Sequence, residues 1–199
     1  MRRVLLLLAA ALALAGCESY RPASPEAIER ARYVSDAPPS VTLMSMVNNR
    51  TGRSAHAGLL INGSQQVLYD PAGTFTHPDL PRRGDMHYGM TPRYVDYYER
   101  YHARFSHHVV VQQVPISRTA ADRLIANAEA EGKVMKAHCA LAVADVLRPV
   151  PPFENVHKSY FPEYLRADFA GLPRVRTRYV REVDLGKNRA WEGGAAPRL

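Results

Sequence analysis

The sequence holds two cysteines, Cys17 and Cys139, and the second is placed for nucleophilic chemistry. In MKAHCALAVADVL, residues Cys139, Ala142, Val143, Val146 and Leu147 fall on one helical face, and Pro149 ends the pattern. Cys139 therefore sits in the first turn of a helix. There, unsatisfied N–H groups and the positive end of the helix dipole favour thiolate over thiol. Such a sulfur can attack a carbonyl carbon, with helix-start N–H groups near the developing oxyanion. The base and the group that orients it must then come from elsewhere in the fold. His138 is adjacent, but neighbours at a helix start point in different directions, so its expected place is the lining of a cleft. The competing reading makes Cys139 a small buried hydrophobe.

Cys17 has a different explanation. The chain opens MRRVLLLLAAALALAGC, with two arginines and an apolar run over 4–15. That run is shorter than the roughly 20 residues a membrane span needs and reads as a secretory signal. Leu14-Ala15-Gly16-Cys17 resembles a bacterial lipobox, which makes 1–16 a signal peptide and Cys17 the lipid-bearing first residue of a lipoprotein. Glu18 in the next position leans towards the outer membrane, facing the periplasm. Removing Arg2 and Arg3 lowers the formal charge of +7 by two and leaves a basic domain suited to anionic headgroups or wall polymers. Nucleic acid is not expected, since no basic run with interleaved aromatics appears. With Cys17 acylated, Cys139 has no disulfide partner in the chain.

The positioning elements follow from composition and period. Residues 17–40 mix Pro, Ser and charge, with a helical turn over 25–32, and read as a tether. Strands are expected over 41–47, 55–61 and 66–69, the last two joined at Asn62-Gly63-Ser64 as a hairpin. Residues 71–92, rich in Pro and Gly, read as a long functional loop. A helix with an aromatic stripe at 94, 97, 98 and 101 follows, then a strand over 109–114. Ser117 caps a helix that Gly132 stops. A short helix over 162–169 and a strand within 174–181 close a domain spanning 41–185, and 186–199 reads as a flexible tail.

The order of these elements carries a resemblance. A strand with His56 in SAHAGLLI, a paired strand with Asp70 in VLYDPAG, and a later helix that begins at Cys139 resemble the circularly permuted NlpC/P60 superfamily. That superfamily is papain-like and includes the lecithin:retinol acyltransferase-like proteins. The resemblance covers about residues 41–147 and implies an α+β fold with a small antiparallel sheet packed on helices. It also implies Cys139 as nucleophile, His56 as base and Asp70 as orienter. Two positions depart from the family: His138 where Asn often precedes the cysteine, and Asp70 where the third residue is frequently His, Glu or Asn. Hairpin geometry supplies a check. A turn of three residues at 62–64 pairs residues whose numbers sum to 126 and sets His56 and Asp70 on one face, whereas a two-residue turn separates them. Asp70 also starts a natural turn, and His56 also reads as a structural histidine.

The resulting expectation is a cell-envelope thiol hydrolase or acyltransferase that cleaves an amide or ester through a Cys139 thioacyl intermediate. A peptidoglycan peptide comes first as substrate and a lipid ester second. No cofactor is expected, and Arg82, His87 and Tyr88, with His138, are the guesses for substrate contact. Two alternatives stay open. One is a non-catalytic envelope lipoprotein that binds wall or protein. The other is a metal site drawn from His77, Asp79, Asp85, His87, His107 and His108, although no ligand spacing such as HExxH is present.

Overall fold

The protein is described here from a computed structural model over residues 21–181. Cys17, the signal segment and the residues of the expected tail lie outside that range. Strands β1 (Ser40–Asn48), β2 (Ser54–Asn62), β3 (Gln66–Tyr69), β4 (Arg82–Arg83), β5 (Met86–Tyr88), β6 (His107–Pro115) and β7 (Arg176–Val180) form one sheet in the order β4-β5-β3-β2-β1-β6-β7. Every neighbouring pair is antiparallel. Helices α1 (Pro25–Arg30), α2 (Pro92–His102), α3 (Arg118–Glu131), α4 (Cys139–Leu147) and α5 (Pro162–Ala170) complete the α+β architecture among the described residues.

Both faces of the sheet are covered. Strand β1, between β2 and β6, is buried along nearly its whole length, with Thr42 and Ser45 buried among its apolar residues. Val41, Leu43, Ala57, Leu59, Ile61 and Val67 pack under α3, α4 and α5. Met44, Met46, Leu68, Val109 and Val111 face α2 and Phe75 on the other side. Helix α4, with seven of its nine residues buried, is apolar around most of its circumference because it lies between the sheet and two other helices. Ser117 caps α3 by accepting a bond from the Ala120 N–H at 3.1 Å, and Gly132 ends it at φ +70°.

Three features differ from the sequence reading. Residues 71–92 are not one loop: β4 and β5 lie within them and extend the sheet by two strands. The segment before β1 is fastened to the body. Gln66 N–H donates to the Tyr33 carbonyl at 2.8 Å, and Asn62 Nδ2 donates to the carbonyls of Ala37 and Pro38 at 3.0 and 3.1 Å. Finally, β2 and β3 pair as Leu59↔Tyr69 and Asn62↔Gln66, so partner numbers sum to 128 and the turn is Gly63-Ser64-Gln65. The turn is odd, as the same-face arrangement requires, but the register is moved by two. Asp70 therefore lies across from Gly58, diagonal to His56 and not opposite it.

Candidate functional site

That diagonal is what closes the site. Strand β2 runs to Ser54, whereas β3 pairs only as far as Leu59↔Tyr69. Pro71 has no N–H to extend the ladder. Residues 54–58 of β2 thus have β1 on one side and, among the described residues, no strand on the other, and the start of α4 approaches that open edge. The Ala57 N–H points at the Cys139 sulfur, as does the Ala140 N–H of the first helical turn. His138 supplies the N-cap position with no side-chain cap bond, so no carboxylate or hydroxyl from the cap competes for the helix-start N–H groups.

His56 Nε2 meets Asp70 Oδ1 at 2.7 Å, and the His56 ring is also hydrogen-bonded to Cys139. With Nε2 committed to the carboxylate, Nδ1 is the nitrogen left for the sulfur. Asp70 is fully buried, Cys139 is 5 % exposed and the His56 side chain 18 %. Burial opposes charge on all three groups, but the charges answer one another. The Asp70 carboxylate and the sulfur push His56 up to about 10 despite its burial. Burial alone would raise the Cys139 thiol, yet His56 and the two backbone N–H groups bring it below its ordinary value. Asp70, buried but bonded by His56 and Tyr98, is held well below the carboxylate range. These shifts favour a thiolate–imidazolium pair with a carboxylate behind it.

Two further side chains of α2 belong to this network. The Tyr98 hydroxyl donates to Asp70 Oδ1 at 2.6 Å. His102 lies stacked 6.0 Å from the His56 ring and donates its Nδ1–H to the Tyr98 carbonyl at 3.0 Å. Burial, with the charge of His56 adding to it, pushes His102 down to about 4, so it stays neutral and leaves the positive charge to its neighbour. Tyr98, in the aromatic stripe read as packing from sequence, and His102 next to that stripe therefore have polar roles. Their spacing of four, which places Tyr98 and His102 on one helical face, is the signal in the sequence that marks them. Glycines make the room. A Cβ at Gly58 would stand 2.8 Å from the Tyr98 hydroxyl, and one at Gly73 would stand 1.7 Å from Asp70 Oδ2.

Asp85 ties the two halves of the site together. Its Oδ2 accepts from the Ala72 N–H at 2.8 Å, in the turn after Asp70, and from the Val134 N–H at 3.1 Å, in the loop that leads to Cys139. Its Oδ1 accepts from Arg82 Nη2 at 2.8 Å, and its carbonyl accepts from the Asp70 N–H at 2.9 Å.

The other expected contacts are placed differently. His87 is 0 % exposed beside Phe75, with its ring 5.2 Å away, and burial pushes it down to about 4. Tyr88 is 3 % exposed and donates to Glu129 Oε1. Neither offers surface to a substrate, because β5, hidden in the expected loop, turns both into the packed layers. Arg82 is engaged with Asp85. His138 remains at the mouth, its Nδ1–H donating to the Lys136 carbonyl and its ring 5.3 Å from Tyr160. Among the described residues no group of three His, Cys, Asp or Glu side chains is gathered in a way that would hold a metal ion. His107 and His108 bond Ser106 and Asn49, apart from His87.

A scan against models of protein families finds none that matches this chain. Searches of curated proteins and of solved structures likewise return no match.

Proposed function

We propose that this protein is a thiol hydrolase or acyltransferase, with Cys139 as nucleophile, His56 as acid and base, and Asp70 as orienter. The carrying observation is the convergence of His56 on both Cys139 and Asp70 at a helix start. The Cys139 thiolate adds to the carbonyl carbon of an amide or ester, and helix-start N–H groups steady the negative oxygen. His56 gives its proton to the departing nitrogen or oxygen as the carbon–heteroatom bond breaks, leaving a thioester. Neutral His56 then takes a proton from water, whose oxygen displaces the sulfur, restoring thiolate and imidazolium and releasing a carboxylic acid.

The strand-before-helix order of His56 and Cys139 supports the reading as a permuted papain-like fold of the NlpC/P60 kind. The opening sequence supports lipidation at Cys17 and a place in the cell envelope, most simply the periplasmic face of the outer membrane. In that setting a peptidoglycan peptide is the first substrate class and a lipid ester the second. The deciding experiment incubates the full chain with purified wall peptides and with phospholipid, and looks for products and for a Cys139-linked acyl group by mass spectrometry. Release that disappears in Cys139→Ala supports the reading. Equal release from both proteins, or none from either substrate class, leaves a non-catalytic envelope lipoprotein.

A further inference from the structure

The rim beside Cys139 carries a concentration of exposed apolar surface. Seven large hydrophobic side chains are exposed among the described residues, and four of them, Met135, Tyr160, Phe161 and Tyr164, gather here. Tyr160 packs edge-on to His138, the residue before Cys139, and Phe161 meets Tyr164 at 6.3 Å. Helix α5 buries Pro162, Leu165 and Phe169, so Tyr164, with Tyr160 and Phe161 just before the helix, is surplus to the core. Lys136 accompanies Met135 in the loop before α4. Rings with a polar tip, flanked by lysine, are what settles at the boundary between lipid headgroups and acyl chains.

The path of the chain brings Ala23 close to the start of the loop that carries Met135 and Lys136. Ala23 N–H donates to the Arg82 carbonyl at 2.8 Å, and Arg83 Nη2 donates to the Ala23 carbonyl at 2.7 Å. Adjoining them, Gly84 lies so near Gly132 that a Cβ there would stand 3.0 Å from the Gly132 carbonyl carbon. Gly132 begins the loop that carries Met135 and Lys136 to His138. Ala23 is thus fastened next to the loop that leads into the site. Cys17 precedes Ala23 by only six residues, a reach of about 20 Å at full extension.

We propose that Met135, Tyr160, Phe161 and Tyr164, with Lys136, form a docking rim that seats the mouth of the Cys139 site on an anionic phospholipid surface. This rests on the Cys17 anchor proposed above and not on any catalytic act of Cys139. A short tether holds the body near the bilayer, Lys136 is drawn to the anionic headgroups, and the aromatic side chains set the orientation.

The test uses the full chain, reconstituted into vesicles of phosphatidylethanolamine and phosphatidylglycerol with brominated acyl chains. In a Trp191→Phe background, Phe161→Trp reports on the rim. Tyr179→Trp reports on β7, at the sheet edge opposite β4. Bromolipid is expected to quench the Phe161→Trp emission by about twofold more than that of Tyr179→Trp, with a blue shift on adding vesicles. Equal quenching overturns the proposal. So does a blue shift already complete without lipid, which marks the rim as covered by a second copy or by this chain's own C-terminal residues. A chain that does not stay on the vesicles also overturns it. Quenching that persists while Cys139→Ala leaves hydrolysis unchanged sinks the catalytic reading alone.

Discussion

Tyr98 donates its hydroxyl hydrogen to Asp70 Oδ1 at 2.6 Å, the same oxygen that meets His56 Nε2. The carboxylate behind the histidine is thus held from both sides, by β2 and by a helix on the far face of the sheet. Tyr98→Phe leaves a buried carboxylate short of one donor, a loss of about 1.5–3 kcal/mol for a bond to a charged group. Denaturant unfolding should register that loss, and hydrolysis should slow by roughly tenfold as His56 loses its fixed orientation. Unchanged stability and rate would remove Tyr98 from the network.

Gly58 and Gly73 are required by close approach and not by backbone angle. Gly73→Ala puts a methyl into Asp70 Oδ2 and should abolish turnover, because either the carboxylate or the turn must move. Gly58→Ala presses on the Tyr98 hydroxyl and should share its penalty with Tyr98→Phe. In a double-mutant cycle the combined loss of unfolding free energy is expected to be smaller than the sum of the single losses. Strict additivity would show that the methyl acts elsewhere.

Asp85→Ala unties the Ala72 and Val134 N–H groups at once. Residues 133–137 should exchange amide hydrogen faster, and alkylation of Cys139 should slow as the sulfur loses its fixed approach to β2. Leaving these buried N–H groups unpaired costs about 1–3 kcal/mol each. Protection of 133–137 equal to that of the wild type would count against the clamp.

Much of this arrangement is legible in the amino-acid sequence. The helix that starts at Cys139 announces itself because its apolar spacing and Pro149 leave little choice, whereas the hairpin sequence allows both a two-residue and a three-residue turn and so leaves the parity of His56 and Asp70 open. The register does not show, because Gly63-Ser64-Gln65 and Asn62-Gly63-Ser64 are equally good three-residue turns. Strands β4 and β5 are hidden because two and three residues are too few to display a period of two. That concealment makes His87 and Tyr88 look like loop residues. Tyr98 and His102 are masked by their aromatic neighbours, since a stripe of rings reads as packing.

The charges set a pH window for stability. His56 is raised from 6.5 to about 10, so its contribution is complete below 6.5 and fades as pH rises through 10. Asp70 is lowered, so its contribution is complete above 3.8 and fades as pH falls through its folded value. The stability advantage of the wild type over Asp70→Asn should therefore peak between these limits and shrink on either side. Chemical denaturation across the range measures it, and a flat difference would deny the ion pair.

The central claim is that Cys139 rests as a thiolate paired with protonated His56. Its most direct test is the rate of iodoacetamide alkylation at Cys139, followed by peptide mass spectrometry as a function of pH. The account predicts an inflection below the ordinary thiol value of 9.0, a plateau towards the alkaline side, and an upward shift of the inflection in His56→Ala. An inflection at or above that of free cysteine, unmoved by His56→Ala, would contradict it.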